Sequence, residues 1–167
     1  LNRLIDHEIE LAKSGKQGRI ILKMNALQDP AMIERLYEAS QAGVKTDLIV
    51  RGICCLIPGR KFSRNIRVTR IVDTFLEHAR VWYFGNGGKP KLFLGSPDWM
   101  RRNLYRRIEA VTPILDPDLK RELSDMLSIQ LSDKRKACFV DDRLHNRWKS
   151  ARPQRRRYGR NILSTNT

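Results

Sequence analysis

The residues of this sequence best suited to act on an anion are an arginine and a histidine at the ends of apolar segments. Arg51 directly follows the apolar run DLIV, where a buried strand is predicted to end. An arginine in that place needs an anion, a carboxylate or water as its partner. A salt bridge to Asp73 would satisfy it, and a phosphate would match the planar fork of its guanidinium group. The net charge of the chain favours the phosphate.

His78 and Arg80 stand at the entrance of a predicted β-hairpin. The stretch LEHARVWYFGNGG alternates aromatic and aliphatic residues and ends in Asn86-Gly87-Gly88, which is typical of a turn. Residues two apart in a strand share one face, so His78 and Arg80 are predicted to lie side by side. Histidine is well matched to proton transfer near neutral pH. The alternative is a histidine that only ends a strand.

Basic residues on the returning strand and beyond it predict a cationic patch around the imidazole of His78. Candidate contacts for a phosphate chain are Lys89, Lys91, Arg106 and Arg107. Glu109, in RIEAV, is the candidate acid to orient the imidazole. Trp82 and Trp99 could stack on a nucleobase, although aromatic residues at this spacing more often belong to a core.

The charge of the whole chain points to a polyanionic ligand. Its 167 residues include 33 Lys and Arg against 18 Asp and Glu, a net charge of +15. Such an excess favours nucleic acid, anionic membrane or phosphate-rich small molecules. The segment from 147 to 160 holds seven basic residues and no acid. We therefore expect residues 148–167 to form a poorly ordered basic tail.

The three cysteines predict neither a metal site nor a disulfide framework. Cys54, Cys55 and Cys138 show no CxxC or Cys/His ligand spacing. They are predicted to be buried free thiols in a reducing compartment. No metal site is predicted, and no apolar run approaches the ~20 residues of a membrane span.

Hydrophobic periodicity and capping residues predict an α/β domain with a mixed sheet flanked by helices. The order strand, helix, strand over residues 19–56 is typical of two parallel neighbouring strands. Asp29-Pro30 and Asp116-Pro117 each combine an N-cap with a proline in the first helical turn. Further helix is predicted over residues 3–13, and further strands over residues 66–72, 78–84, 91–96, 107–114 and 136–142.

Several long stretches resemble the C-terminal catalytic domain of the long-chain bacterial polyphosphate kinase family. VRGICCL, LEHARVW and RRIEAVTPILD carry the likeness most specifically. It extends over about residues 1–150, and we assign residues 1–147 to this domain and 148–167 to the tail.

The resemblance implies a phospholipase D-like fold. The His-x-Arg of the hairpin, with Gly95-Ser96 downstream, is similar to a degenerate HxK…D…GSxN signature of that superfamily. Arg80 replaces the usual lysine, and Gly85 stands where the aspartate is expected. These departures argue against diesterase chemistry.

The resemblance also implies an activity, the reversible transfer of the terminal phosphate of ATP to polyphosphate. Arg51 and His78 match positions that contact the nucleotide phosphates, Arg80 is a further candidate phosphate ligand, and His78 is the candidate catalytic residue. The phosphohistidine of the family lies in a preceding domain in a His-Pro-Tyr context, and no His-Pro pair occurs here. The chain alone is therefore expected to be inactive, with Mg²⁺ bound mainly outside it.

The expected partners are ATP or ADP, inorganic polyphosphate and upstream domains of the same polypeptide, which is expected to be a homo-oligomer. We expect a cytoplasmic protein, with peripheral association at the anionic inner face of the membrane as an option. Nucleic acid is not an expected partner in this interpretation. Two alternatives remain, a phospholipase D-like phosphodiesterase and a non-enzymatic basic module that binds RNA.

Overall fold

A computed structural model describes residues 1–72 and 76–149. Its central element is an eight-stranded mixed β-sheet. The sheet order is β6-β5-β4-β1-β2-β3-β7-β8, with β1, β2 and β3 parallel and the other neighbours antiparallel. The elements of these residues are, in chain order, α1 (Asn2–Lys13), β1 (Arg19–Met24), α2 (Pro30–Gln41), β2 (Lys45–Val50), β3 (Ile66–Ile71), β4 (Val81–Phe84), β5 (Lys91–Gly95), α3 (Arg101–Arg106), β6 (Val111–Ile114), α4 (Pro117–Ser132), β7 (Ala137–Val140) and β8 (Asn146–Trp148).

The parallel unit β1–α2–β2 forms as the sequence predicts. The Asp29 carboxylate caps α2 by accepting a hydrogen bond from the Met32 amide at 3.0 Å, and Pro30 begins the helix. β1 and β2 pair in parallel from Arg19 opposite Lys45 onward. Both strands therefore end at the same edge of the sheet, which is where ligands gather in open α/β folds.

Two apolar layers cover the two faces of the sheet. Ile20 and Leu22 of β1 pack in one cluster with Leu36 of α2, whereas the intervening Ile21 packs in a second cluster with Leu127 of α4. Because successive side chains of a strand point to opposite faces, α2 and α4 lie on opposite sides of the sheet. The mixed sheet flanked by helices is thus confirmed.

The core interpretation of the two tryptophans is also confirmed. Trp82 is 4% exposed and Trp99 0%, and their rings meet edge to face with centroids 5.9 Å apart. Neither ring is available to a nucleobase.

The prediction of buried thiols is wrong for Cys55, which is exposed, while Cys54 is half-buried and Cys138 is buried. The apolar strand ends at Val50, so Cys55 lies in the loop that follows it.

Several predicted strands are longer than the observed ones. β4 begins at Val81 and β6 at Val111, so the polar residues placed ahead of them in strands lie in extended loops instead. The short helix α3 and the strand β8 were not predicted. β8 runs through Trp148, one residue past the assigned domain boundary. Residues 150–167 of the predicted tail lie outside the described part of the chain.

Among the described residues, no helix is long and apolar enough to cross a bilayer.

The Asn86–Gly88 turn joins β4 to β5 as predicted, with positive φ angles at Gly87 and Gly88 that favour glycine.

The two aspartate caps differ in burial, which gives a test of the fold. Asp29 is 2% exposed, whereas Asp116 is exposed and accepts from the amides of Asp118 and Leu119. We expect Asp116→Ala to lower the free energy of unfolding by about 1 kcal/mol. We expect Asp29→Ala to lower it by about 2 kcal/mol, because the Met32 amide would lose its hydrogen bond in a place that water does not reach. Urea denaturation of both variants measures this difference. An equal or smaller cost at Asp29 would contradict the buried cap.

Candidate active site

Asn25 and Arg51 extend from the ends of β1 and β2 and lie together at one edge of the sheet. The Arg51 amide donates to the Met24 carbonyl at 3.2 Å, and the Gly52 amide donates to the Asn25 carbonyl at 2.8 Å. Arg51 is half-buried, and its side chain makes no hydrogen bond or ion pair with any residue that the structure describes. Asp73, its alternative partner, lies outside the described residues. Among the residues described, the Arg51 guanidinium group is therefore unpaired.

A buried lysine holds the loop in front of β4 against the end of β1. The Lys23 side chain is 3% exposed, and its Nζ lies 2.7 Å from Glu77 Oε2. Gln130 of α4 donates to the same oxygen at 2.8 Å. A buried ammonium without a partner would be costly, so this pair fixes Glu77 in place.

The carbonyl of His78 is held from two sides. Asn25 Nδ2 donates to it at 3.4 Å and Arg80 Nη1 donates to it at 3.2 Å. The residue itself is exposed. The backbone is therefore anchored while the imidazole faces solvent, at the edge of the sheet that also carries Arg51.

Asp98 connects these segments through a buried carboxylate. It is 6% exposed, and its Oδ1 accepts from the amides of Asn25 at 2.7 Å and Ala26 at 3.2 Å. Arg80 forms a fork on it, with Nη2 3.0 Å from Oδ2 and Nε 3.3 Å from Oδ1. Burial raises the pKa of Asp98, but the Arg80 hydrogen bond and the two amides outweigh burial and lower that pKa. Asp98 therefore stays ionised.

His78 and Arg80 do not lie side by side on a strand face, because both precede β4. The prediction from strand alternation is wrong for this reason. The Arg80 side chain is 15% exposed and is turned inward onto Asp98. Its contact with His78 is to the backbone carbonyl and not to the imidazole.

Glu109 has partners other than the predicted one. Ser96 Oγ and Asn103 Nδ2 both donate to its carboxylate, the latter at 2.6 Å. The hydrogen bonds from Ser96 and Asn103 lower the pKa of Glu109. No contact joins Glu109 to His78 in the described part of the chain, so Glu109 orders the loop between β5 and β6 rather than the imidazole.

Two of the predicted basic residues lie at the wrong end of the sheet. Lys91 pairs with Phe84, whereas the Gly95 amide donates a hydrogen bond to the Arg80 carbonyl. Four residues of strand place Lys91 about 13 Å from Arg80. Lys89 and Lys91 line a separate cleft with Lys120. The prediction that they surround His78 is therefore wrong.

Arg106 and Arg107 lie at the end of α3 and just past it, and both are exposed. Arg107 is near enough to Glu109 to lower its pKa, as is Arg80. This places Arg107 on the Asp98 side of the sheet, where a role in phosphate binding stays a prediction.

Sequence reasoning missed the roles of Asp98 and Lys23. A lysine inside RIILKM was a visible signal, since a charge in an apolar strand requires a buried partner. Asp98 gave no such signal, because its partners come from residues more than 70 positions earlier and from Arg80. Asp98 occupies the position of the asparagine in the GSxN part of the phospholipase D signature.

The candidate site does not fit a metal ion. Its side chains are two guanidinium groups, an imidazole and an amide, and its carboxylate, Asp98, is already bound to Arg80. In residues 1–72 and 76–149 no group of three His, Cys, Asp or Glu residues could hold a metal.

Comparisons with known proteins decide the family. The model of the polyphosphate kinase C-terminal domain 2 matches residues 1–158. This chain belongs to that family. The match reaches into the segment 148–167 that was assigned to the tail.

Curated relatives agree with the family model. A polyphosphate kinase of Thermosynechococcus vestitus is 55% identical over 136 residues, covering 81% of this chain and 19% of that protein. The polyphosphate kinase of Escherichia coli K12 is 48% identical over 149 residues, covering 89% of this chain and 22% of that protein. The chain thus spans about a fifth of the length of these relatives.

Solved structures agree in fold. The crystal structure of polyphosphate kinase from Porphyromonas gingivalis matches with a TM-score of 0.88 and 58% identity, over 89% of this chain and 23% of that chain. Nuc from Salmonella typhimurium, a phospholipase D family member, matches with a TM-score of 0.55 and 17% identity, over 77% of this chain and 87% of that chain. The latter likeness shows the fold alone and confirms that it is phospholipase D-like.

Membership in the polyphosphate kinase family favours the kinase interpretation over the phosphodiesterase and the RNA-binding module. The structure also explains one departure from the diesterase signature. A Cβ atom at Gly85 would lie 2.9 Å from the Arg19 Cβ, so the backbone there leaves no room for aspartate. Gly85 also follows Phe84, at the end of the sheet away from His78.

The lowered pKa of Asp98 predicts a pH dependence of stability. Because its folded pKa lies below the ordinary value of 3.8, its contribution is complete above that value and is lost as pH falls through the folded pKa. We expect the free energy of unfolding to fall less steeply with acidification in Asp98→Asn than in the unmodified chain. Urea denaturation at a series of pH values below ~5 measures this slope, because ~5 lies above the ordinary pKa range of aspartate. Identical slopes would show that Asp98 is not held ionised by Arg80.

Proposed function

We propose that this domain supplies part of the phosphate site of a kinase that transfers the terminal phosphate of ATP reversibly to polyphosphate. The observation that carries the proposal is Arg51, a half-buried arginine at the carboxyl end of a parallel strand with no partner among the described residues. Guanidinium geometry fits phosphate oxygens in pairs. The exposed His78 shares this edge of the sheet.

His78 acts in this proposal as a general acid or electrostatic clamp on the phosphoryl group in transfer. Phosphoryl transfer concentrates charge on the equatorial oxygens and on the leaving oxygen, and positioned donors stabilise that charge. A protonated imidazole can donate a hydrogen bond and can also give up its proton. The nucleophile is a histidine of an upstream domain, so His78 does not become phosphorylated.

Arg80 has a different role from the one its sequence position indicates. Its guanidinium group is bound to Asp98 and to the His78 carbonyl, which leaves less of it for a nucleotide. We assign it to positioning His78. A remaining contact between Arg80 and phosphate would be secondary to this role.

The rest of the catalytic machinery lies in this proposal outside the chain. ATP or ADP and polyphosphate are the substrates, upstream domains supply the phosphohistidine and the Mg²⁺ ligands, and the whole protein is a homo-oligomer. We further propose a cytoplasmic location, with the basic residues after 147 available for peripheral contact with anionic lipid.

Removal of the Arg51 side chain tests its role in the full-length kinase. We expect Arg51→Ala to lower kcat/KM for ATP about 10- to 100-fold, because a charge-assisted contact contributes roughly 1.5–3 kcal/mol. The thermal unfolding midpoint should stay near that of the unmodified enzyme. Arg143→Ala, at an exposed arginine of the β7–β8 turn, serves as the matched control. Normal ATP use with a much lower midpoint would mean that Arg51 holds the fold instead.

Substitution of His78 separates proton transfer from hydrogen bonding. We expect His78→Ala to reduce turnover by about 10²- to 10⁴-fold, the range of acid–base residues. His78→Gln should remain poor, since an amide restores a hydrogen bond but cannot transfer the proton. Steady-state turnover together with phosphoenzyme trapping provides the measurement. Near-normal turnover of His78→Ala, or phosphate trapped on His78 itself, would overturn the assignment.

A further inference from the structure

The opposite end of the sheet carries a concentration of positive charge that the candidate active site does not use. Three clefts lie there in a row, and neighbouring clefts share an arginine. Arg19 lines the first and the central cleft, and Arg64 lines the central and the third. The shared residues show that the three clefts adjoin one another.

Six cations line the three adjoining clefts, which together we name the basic track: Lys16, Arg19, Lys45, Lys61, Arg64 and Arg67. The one carboxylate that lines it is Asp47, which is 2% exposed and binds both Arg19 and Arg67. Glu8, buried behind the first cleft, accepts from the amides of Arg19 and Asn86. The track therefore keeps a clear excess of positive charge.

Four members of the basic track have free charged ends. Lys16, Lys45, Lys61 and Arg64 are exposed, and their side chains make no hydrogen bond or ion pair with the residues described. Arg19 and Arg67 are instead held in place by Asp47 across three adjacent strands. Clefts lined by one sign of charge concentrate the field and attract ions of the opposite sign.

The lining of the central cleft favours phosphate over a nucleobase. This cleft, of about 290 Å³, is lined by four cations with Thr46, Asp47 and Asn65, and by no aromatic residue. Proteins that bind single-stranded nucleic acid stack bases on aromatic rings. In the flanking clefts, Phe62 is 40% exposed with one side of its ring against Tyr37, and Tyr83 is half-buried against the α4 layer.

We propose that the basic track binds the chain of a linear polyphosphate at a site separate from the one that holds the reacting phosphate. Lys45 begins β2 and Arg51 follows its end, so the two sites lie about 20 Å apart. A chain held on the track would stay with the enzyme between transfers. The choice of polyphosphate as the ligand rests on the proposed function, while the anion-binding track itself does not.

The test uses the full-length kinase with Lys45→Ala and Arg64→Ala combined, because neither residue holds Asp47. Activity is measured in the reverse direction, from ADP and either long-chain polyphosphate or tripolyphosphate. We expect the KM for long-chain polyphosphate to rise about tenfold, or roughly 1.4 kcal/mol, while the values for tripolyphosphate and ADP change less than about twofold. Added salt should shrink the difference between variant and unmodified enzyme.

The matched control removes two exposed arginines that line none of the three clefts, as Arg3→Ala with Arg121→Ala. An unchanged KM for long chains, or an equal rise in the control, would overturn the proposal. A loss of single-stranded RNA binding with normal polyphosphate use would assign the track to nucleic acid and also overturn it. Loss of the phosphate site at Arg51 would instead alter the reaction with long-chain polyphosphate and with tripolyphosphate alike. The two results are therefore distinguishable.

Discussion

The carboxylate of Asp98 joins the pieces of the candidate site that are far apart in sequence. It accepts the amides that follow β1 and the guanidinium group of Arg80, and Arg80 in turn holds the carbonyl of His78. Removing one partner of such a buried pair leaves an uncompensated charge, which is more costly than the pair is favourable. The position of His78 relative to Arg51 thus depends on a residue that touches neither imidazole nor phosphate.

A second ion pair, between the buried Lys23 and the half-buried Glu77, holds the same loop from the other face of the sheet. The two anchors leave the His78 side chain exposed on a fixed backbone, while Arg51 is left without a protein partner in the described residues. Preorganised donors of this kind stabilise developing charge without rearranging during the reaction. Under the proposed function, this geometry would suit a phosphoryl group presented by a neighbouring domain.

Local signals in the sequence predicted much of the fold and the placement of Arg51. Asp29-Pro30 and Asp116-Pro117 located two helix starts, because capping chemistry depends on adjacent residues. Parallel pairing of β1 and β2 followed from the helix between them. The positions of Lys91, Arg80 and Glu109 could not be predicted in this way, since strand ends, register and long-range partners decide them. Alternation correctly indicates a shared face only inside a strand, and His78 lies outside one.

The most direct test of the account is a structure of the full-length kinase with a non-hydrolysable ATP analogue. We expect the Arg51 guanidinium group and the His78 imidazole within about 3 Å of oxygens of the nucleotide phosphates. Arg80 should remain on Asp98. Phosphates bound elsewhere, with Arg51 paired to a carboxylate of another domain and His78 facing solvent, would contradict the account.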